Sequence, residues 1–192
     1  MARNASECLR CGSDRRRIRR PKRYHYVESG LDNVYLYGGV EVAVCPDCGD
    51  ELIWVQEEEQ LLQVIAVTLL GKPFGLAGRE MQYLRRECDL TQAELAKRLR
   101  LKRRETVAER EGGTIEMTPE SEFWFRAVIL KSFREYLSED DGANCFLTNA
   151  HIEHVRRLAR TFFELPLQRA GKARKTVSIK PVKDGWSLPN AA

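Results

Sequence analysis

The spacing of its cysteines constrains this chain more than any other feature of the sequence. Four of the six cysteines form two Cys-x-x-Cys pairs, Cys8 with Cys11 and Cys45 with Cys48, and a glycine follows each pair. Two thiolates that are two residues apart can both point into one tetrahedral site, because the tight turn between them curls around an ion. The glycine lets the backbone take the turn that comes next. The sequence therefore predicts that the four cysteines bind one metal ion per chain.

Zinc (Zn²⁺) is the ion that we expect, in a structural role. Four protein ligands fill a tetrahedral site, whereas a catalytic zinc keeps one position open for water or substrate. Iron also accepts four thiolates, but rubredoxin-like and cluster sites are rarer at this spacing. Disulfides are not expected in a chain that opens with polar and basic residues instead of a signal-peptide core. His25 lies between the two pairs, and because the cysteine set is complete we expect a surface or cross-strand role for it.

The residues between the cysteine pairs have the pattern of short strands. Aromatic and β-branched side chains at 24–27, 34–37 and 40–44 are separated by turn residues rich in glycine. We therefore predict a small antiparallel zinc β-ribbon as an amino-terminal domain over residues 1–54.

From residue 55 the pattern becomes helical. Three glutamates at 57–59 suit the amino-terminal end of a helix dipole, and apolar residues then recur at helical spacing until Gly71 and Pro73. This predicts a linker helix followed by a hinge over residues 55–78, with the helix packing on one of the modules that it joins.

The pattern of residues 79–113 predicts three short helices. The first places Cys88 on its apolar face, which makes this thiol a small core residue. Thr91 and Glu94 form a capping box that begins the second helix, and the third is expected over 102–111. Two short helices joined by a tight turn are a unit that reads DNA in the major groove.

Positive charge is concentrated in two runs, at residues 15–23 and 98–104. Such runs are often only solvated surface, but they also suit a polyanionic partner. In a helix-turn-helix the start of the third helix meets base edges, and the start of the second lies against phosphates. In double-stranded DNA, we predict that four residues contact the major groove: Lys102, Arg103, Arg104 and Thr106. Thr91 and Gln92 are predicted to contact the DNA backbone or flanking bases.

The last third of the chain begins with a long helix that Thr118 caps and Pro119 opens. Its apolar surface is wider than one stripe, which favours burial against the other helices and against a second copy of the chain. Another helix from Asn149 completes a helical domain over residues 79–165. The basic segment 166–192 lacks apolar periodicity, so we expect a flexible tail or an extension that orders on a partner.

The fold predicted from these segments is α+β, with a small amino-terminal zinc β-ribbon followed by an all-α helix-turn-helix bundle of Xre-like type. His151 and His154 lie three residues apart on the last helix, but no third ligand accompanies them, so we expect no second metal site there. Cys145 is expected to be an unpaired loop thiol.

These residues also carry a family resemblance. The run Leu90–Ala96 with the later 106–108 looks like an Xre-type helix-turn-helix, and the order of the modules, with the Gly-Leu-Asp-Asn-Val of 30–34, resembles the MqsA/YgiT-type zinc-finger and helix-turn-helix proteins across residues 5–137. The resemblance implies operator binding by a dimer, a zinc domain that is structural or contacts a partner toxin, and repression of the chain's own operon. One departure from the family pattern is Arg100, which stands where a glycine is common.

Two functions from different classes fit these features. The first is a cytoplasmic, sequence-specific transcriptional regulator that represses its own operon, binding a palindromic operator as a homodimer with half-sites about 34 Å apart. The alternative is the antitoxin of a type II toxin–antitoxin pair, whose main role is to bind and neutralise a toxin protein. An enzyme is not expected, because the sequence offers no open metal site, no nucleophile beside a base and no phosphate loop. No apolar run approaches the roughly 20 residues that cross a bilayer, so no membrane partner is expected.

Overall fold

The computed structural model of the chain describes residues 7–73, 75–138, 146–162, 176–183 and 185–188. Within these ranges the chain forms five short strands, then six helices, then three more short strands, so the fold is α+β. None of the helices in these ranges is long and apolar enough to cross a membrane.

The amino-terminal strands form two small sheets. They are β1 (Arg17–Arg19), β2 (Tyr24–His25), β3 (Val34–Leu36), β4 (Val40–Val44) and β5 (Glu51–Val55). β1, β4 and β5 form one antiparallel sheet in that order, and β2 pairs antiparallel with β3 in the other. Side chains alternate between the two faces of a strand, and the inward ones, such as Leu36 and Val42, are fully buried.

The helices follow the predicted order with one difference. They are α1 (Glu58–Leu70), α2 (Gly78–Arg86), α3 (Gln92–Arg98), α4 (Glu105–Glu111), α5 (Pro119–Ser138) and α6 (Asn149–Thr161). The starts predicted at Thr91, Pro119 and Asn149 are confirmed, and the hydroxyl of Thr91 accepts the Glu94 backbone N–H at 3.2 Å. The third helix was expected from Lys102, but α4 begins only at Glu105, because the chain needs the intervening residues to turn after α3.

α1 lies at the centre of the molecule. The consecutive residues Val64 to Val67 are all fully buried, so this part of the helix is covered on every side, and its neighbours include α2, α6 and the carboxy-terminal residues Gly185–Trp186. The hydroxyl of Tyr83 on α2 donates to the backbone carbonyl of Leu62 at 2.8 Å. The helix that the sequence predicts over this segment therefore forms a large part of the core.

A buried ion pair on α5 fixes the segment that follows α1. Arg126 and Glu122 are 1% and 3% exposed, and Arg126 donates to the backbone carbonyls of Leu70 and Lys72 at 2.8 and 2.6 Å. Glu122 accepts the backbone N–H of Gly75 at 2.7 Å. Carbonyls at a helix end need such partners. The predicted hinge is thus held by hydrogen bonds from both members of the pair.

The carboxy-terminal residues return to the amino-terminal sheets. β6 (Val177–Ile179) pairs parallel with β3, and β7 (Pro181–Val182) and β8 (Gly185–Trp186) form a hairpin. Trp186 is 1% exposed, and its indole N–H donates to the carbonyl of Gln56 at 2.7 Å. The expectation of a flexible tail is therefore wrong for 176–183 and 185–188, because their apolar side chains join the core; residues 166–175 and 189–192 lie outside the described residues.

Candidate metal centre and candidate nucleic-acid interface

The four predicted metal ligands meet beyond one end of the β1-β4-β5 sheet. Their Sγ atoms all lie within 4.8 Å of one another, and the pairs Cys8–Cys48 and Cys11–Cys45 are each 3.6 Å apart. In a tetrahedral tetrathiolate, zinc–sulfur bonds of about 2.3 Å place the sulfurs about 3.8 Å from one another. The geometry and the donor set are therefore compatible with a structural metal site.

The two Cys-x-x-Cys turns have the same backbone structure. Gly12 N–H donates to the Cys8 carbonyl at 2.8 Å, and Gly49 N–H donates to the Cys45 carbonyl at 2.9 Å. Both glycines have positive φ, +72° and +73°, a region that other residues rarely adopt. This explains why a glycine follows each pair in the sequence, and it brings four sulfurs together from two short local turns.

Arg16 lies against the cysteine cluster. Its side chain is 2% exposed, and Nη2 lies 3.5 Å from the Cys8 Sγ and 2.6 Å from a carboxylate oxygen of Asp50. The hydrogen bond from Arg16 lowers the pKa of the Cys8 thiol to about 6, which favours the thiolate that a metal requires. Sequence reasoning missed Arg16 because it is one arginine within a basic run. Arg16 lies just before β1, and Asp50 lies just before β5; β4 separates the two strands.

Most of the first basic run is paired with acidic residues of the sheet. Arg19 contacts Glu51 at 3.0 Å, and Arg20 contacts Glu41 at 2.6 Å. The other pairings in the run are Arg15 with Asp47, Arg16 with Asp50, and Arg23 over the ring of Tyr35 at 3.9 Å. The four ion pairs thus hold β1 and the cysteine turns to β4 and β5, and they offset four of the seven cations of the run.

The second basic run occupies the turn between α3 and α4. Leu101 N–H donates to the Ala96 carbonyl at 2.9 Å and Arg100 N–H to the Lys97 carbonyl at 3.1 Å, which is the Schellman pattern of a helix end. Arg100 has φ of +55°, the left-handed conformation that glycine adopts most easily. Arg100 therefore adopts the left-handed backbone conformation that a glycine would adopt most easily at this position.

The residues predicted to enter the DNA groove lie at the start of α4. Lys102, Arg103 and Arg104 precede the helix and are exposed, and Thr106 in its first turn is half-buried. Arg104 pairs with Glu105 at 3.3 Å. For Lys102 and Arg103, the described part of the chain provides no ion-pair partner. These cations are therefore free to meet an external anion.

The two residues predicted to contact the DNA backbone are engaged within the protein. The Thr91 hydroxyl donates to the Glu94 carboxylate at 2.7 Å in addition to capping α3. The amide of Gln92 donates to Glu111 at 2.9 Å, and Glu111 also accepts a buried two-bond contact from Arg85 at 2.6 and 3.1 Å. Glu111 therefore ties α2 and α3 to the end of α4, which fixes the relative positions of the three helices.

The remaining polar candidates have structural roles. His25 stacks on its cross-strand neighbour Tyr35, with ring centroids 4.7 Å apart, as expected. The ring of His151 accepts the Thr148 backbone N–H at 3.2 Å, so it caps α6. In the described ranges only the four cysteines form a metal-binding group, and neither histidine of α6 belongs to one. Cys88 is half-buried and packs against the core, and burial raises the pKa of its thiol to about 12. Cys145 lies outside the described residues.

The outer face of the β1-β4-β5 sheet exposes large apolar side chains. Ile18, Leu52 and Trp54 are 52%, 44% and 61% exposed, and the strand register places all three on one face. A groove of about 510 Å³ beside Trp54 also exposes Tyr37. Exposed apolar groups gathered on one face are typical of a surface that binds a partner.

Comparison of the chain with protein-family models, with curated proteins and with solved structures found no match.

Proposed function

We propose that this chain is a sequence-specific DNA-binding protein that represses transcription of its own operon, with α3 and α4 as a helix-turn-helix and the four cysteines as a structural zinc site. The observation that carries the proposal is the exposed cationic segment at the start of α4, set on a helix framework that buried ion pairs hold in place. The proposal assigns no catalytic reaction to the chain.

The first support is the way in which α2, α3 and α4 are joined. Each is followed within three residues by a residue with positive φ, Asp89, Arg100 and Gly113 respectively. The N–H of the next residue then donates to a carbonyl five positions earlier. Three sharp helix ends in succession give short helices that cross one another, which is how a helix-turn-helix exposes its second helix to a DNA groove.

The second support is the charge at the amino end of α4. Lys102 and Arg103 are exposed next to the positive end of a helix dipole, a combination that attracts phosphate oxygens. An arginine that pairs both acceptors of a guanine discriminates by about 1 to 3 kcal/mol against other bases. Glu105, in the same turn, would accept a hydrogen bond from the amino group of cytosine.

A homodimer completes the proposal. Trp124 on α5 is 62% exposed, and Ala127 and Val128 follow on the same helical face, each half-buried. A symmetric pairing through this face would present two α4 helices to a palindromic operator.

The test is a fluorescence-anisotropy titration of the full-length, zinc-loaded protein against a labelled duplex of the DNA upstream of its own coding region. A scrambled duplex of equal composition is the comparison, and both are measured at two salt concentrations. We expect the protein to bind the native duplex about 10³-fold more tightly than the scrambled one, or better. The dependence of the affinity on salt should correspond to several neutralised phosphates. Equal binding to both duplexes, or no binding, would contradict the proposed autoregulation.

A second candidate function is that of an antitoxin, and the exposed apolar face of Ile18, Leu52 and Trp54 favours it. Such a face suits a protein partner better than DNA, because its exposed side chains are apolar and the neighbouring Arg16 and Arg20 are paired with Asp50 and Glu41. Co-expression of the chain with the product of a neighbouring gene tests it. Co-purification that Leu52→Ser and Trp54→Ser abolish, while DNA binding persists, would support the antitoxin. Unchanged co-purification of both variants would exclude this face.

A further inference from the structure

We propose that Arg16 is a positioning residue of the metal centre, which holds the Cys8 thiolate by an N–H···S hydrogen bond and decides how firmly the four cysteines retain their ion. The inference rests on the proposed metal site and concerns a side chain that is not itself a ligand.

The location of Arg16 is unusual for an arginine. Its side chain is 2% exposed, whereas those of Arg15 and Arg19, before and after it in the same run, are 69% and 58% exposed. Burial removes a guanidinium from water, and this is unfavourable unless negative charge and hydrogen-bond acceptors replace the lost hydration. The surroundings of Arg16 must therefore supply both.

Asp50 supplies only part of what the guanidinium needs. Its carboxylate accepts from Nη2 at 2.6 Å, and the same Nη2 lies 3.5 Å from the Cys8 Sγ. The Nε and Nη1 atoms of Arg16 are buried and have no partner among the described residues. A guanidinium has five N–H donors, and the acceptors that the structure places against this one are the Asp50 carboxylate and the Cys8 sulfur. Thiolates are far better acceptors than thiols, so this arrangement fits the cluster in its metal-bound form.

The charges around Arg16 lead to the same conclusion. Four thiolates around a divalent ion keep two units of negative charge, and the Asp50 carboxylate, with an oxygen 3.8 Å from the Cys8 Sγ, adds a third. Arg16 is the cation between these two anions. Without it the thiolate and the carboxylate would repel each other, and Cys8 would lose the donor that stabilises and orients its thiolate.

The experiment compares the metal affinity of the full-length protein with those of Arg16→Met, Arg16→Lys and Arg19→Met. Each is loaded with Zn(II), and the affinity is measured by competition with a chromogenic chelator. We expect Arg16→Met to bind zinc about 10- to 100-fold more weakly, the range found when a partner of a metal ligand is removed. Arg16→Lys should recover part of the loss, because it keeps the charge but not the fork of donors. Arg19→Met, which removes an exposed ion pair of the same basic run, should match the parent protein.

A spectroscopic readout separates this role from a purely structural one. In the Co(II)-loaded protein, loss of an N–H···S bond should move the thiolate-to-cobalt charge-transfer band to lower energy in Arg16→Met and not in Arg19→Met. If Arg16→Met does not fold, Arg16→Lys and Asp50→Asn are measured in the same way. Zinc affinity and a cobalt band within error of the parent would overturn the role of Arg16. Failure of the parent protein itself to bind Zn(II) or Co(II) would instead overturn the proposed metal centre.

Discussion

Residues 15–23 and 98–104 carry similar runs of arginine and lysine, yet they meet very different surroundings in the folded chain. In the first run Arg15, Arg16, Arg19 and Arg20 each contact an acidic residue of the β4–β5 hairpin or its cysteine turn. In the second run the exposed Lys102 and Arg103 have no ion-pair partner in the described ranges. A basic run is thus evidence for an anionic partner only after the partners inside the molecule are known.

The difference has a simple structural cause. β1 lies beside β4, so that its arginines reach the acidic residues of β4, β5 and the second cysteine turn across the sheet. The turn between α3 and α4 is exposed at residues 102–104, and among the described residues it forms an ion pair only with Glu105. We therefore expect the first run to act inward, on the fold and the metal site, and the second to act outward, on DNA.

The largest effect is expected at an arginine that is entirely internal. Arg126→Ala should lower the free energy of unfolding by about 3 to 5 kcal/mol, because it leaves Glu122 and several carbonyls of the segment after α1 without their partner. Urea unfolding followed by circular dichroism measures the change. Arg156→Ala is the matched control, since Arg156 is 64% exposed and contacts Glu153 at 3.8 Å. Equal midpoints for the two variants would contradict the role given to the buried pair.

The next effect concerns the outward run. Arg103→Ala should weaken binding to the native duplex by about 1 to 3 kcal/mol if the side chain reads a base. It should instead reduce the salt slope by about one, with equal losses on native and scrambled duplexes, if the side chain contacts a phosphate. The measurement is the same anisotropy titration at two salt concentrations. Unchanged affinity and slope would mean that α4 does not meet DNA at its amino end.

Local sequence signals predicted the parts of this fold that form locally. The Cys-x-x-Cys turns with their glycines place four sulfurs together, and the capping box of Thr91 and Glu94 begins α3 where expected. Each of these signals lies within a few residues, so one sequence is enough to recognise it. The helix starts at Pro119 and Asn149 were predictable for the same reason.

The features that could not be predicted from the sequence all depend on contacts between residues far apart in the chain. β6 has only three residues, and its pairing with β3 joins positions such as Val177 and Val34 that are far apart in the chain. Trp186 is buried against Gly39, where an added Cβ would lie 2.6 Å from the Trp186 ring. No local sequence pattern predicts that contact. The contact between Arg16 and Asp50 could not be predicted for the same reason, because the two residues meet only when β1 and β5 flank β4. Whether α3 and α4 bind DNA stays a prediction.

A smaller effect is expected from the backbone of the turn in the outward run. Arg100→Gly should raise the free energy of unfolding by about 1 kcal/mol relative to Arg100→Ala, because both variants remove the charge and only alanine keeps a Cβ at φ of +55°. Urea unfolding of the two variants isolates this backbone contribution. Their DNA affinities should be equal to each other, and their shared difference from the parent reports what the Arg100 charge contributes to binding. An alanine variant as stable as the glycine variant would mean that the turn does not hold the left-handed conformation.

The smallest effect belongs to the exposed pairs of the inward run, and it tests the comparison most directly. Exposed ion pairs contribute about 0 to 1 kcal/mol each and many contribute nothing measurable, so the double variant Arg19→Ala/Arg20→Ala should change the unfolding free energy by less than about 1 kcal/mol. If the charges of this run act only within the molecule, its DNA affinity and salt slope should equal those of the parent protein. A salt slope reduced by about two would mean that these arginines exchange their carboxylate partners for phosphates when DNA binds. In that case the ion pairs would mark a second DNA-binding surface on the ribbon, and the distinction between an inward and an outward run would hold only for the free protein.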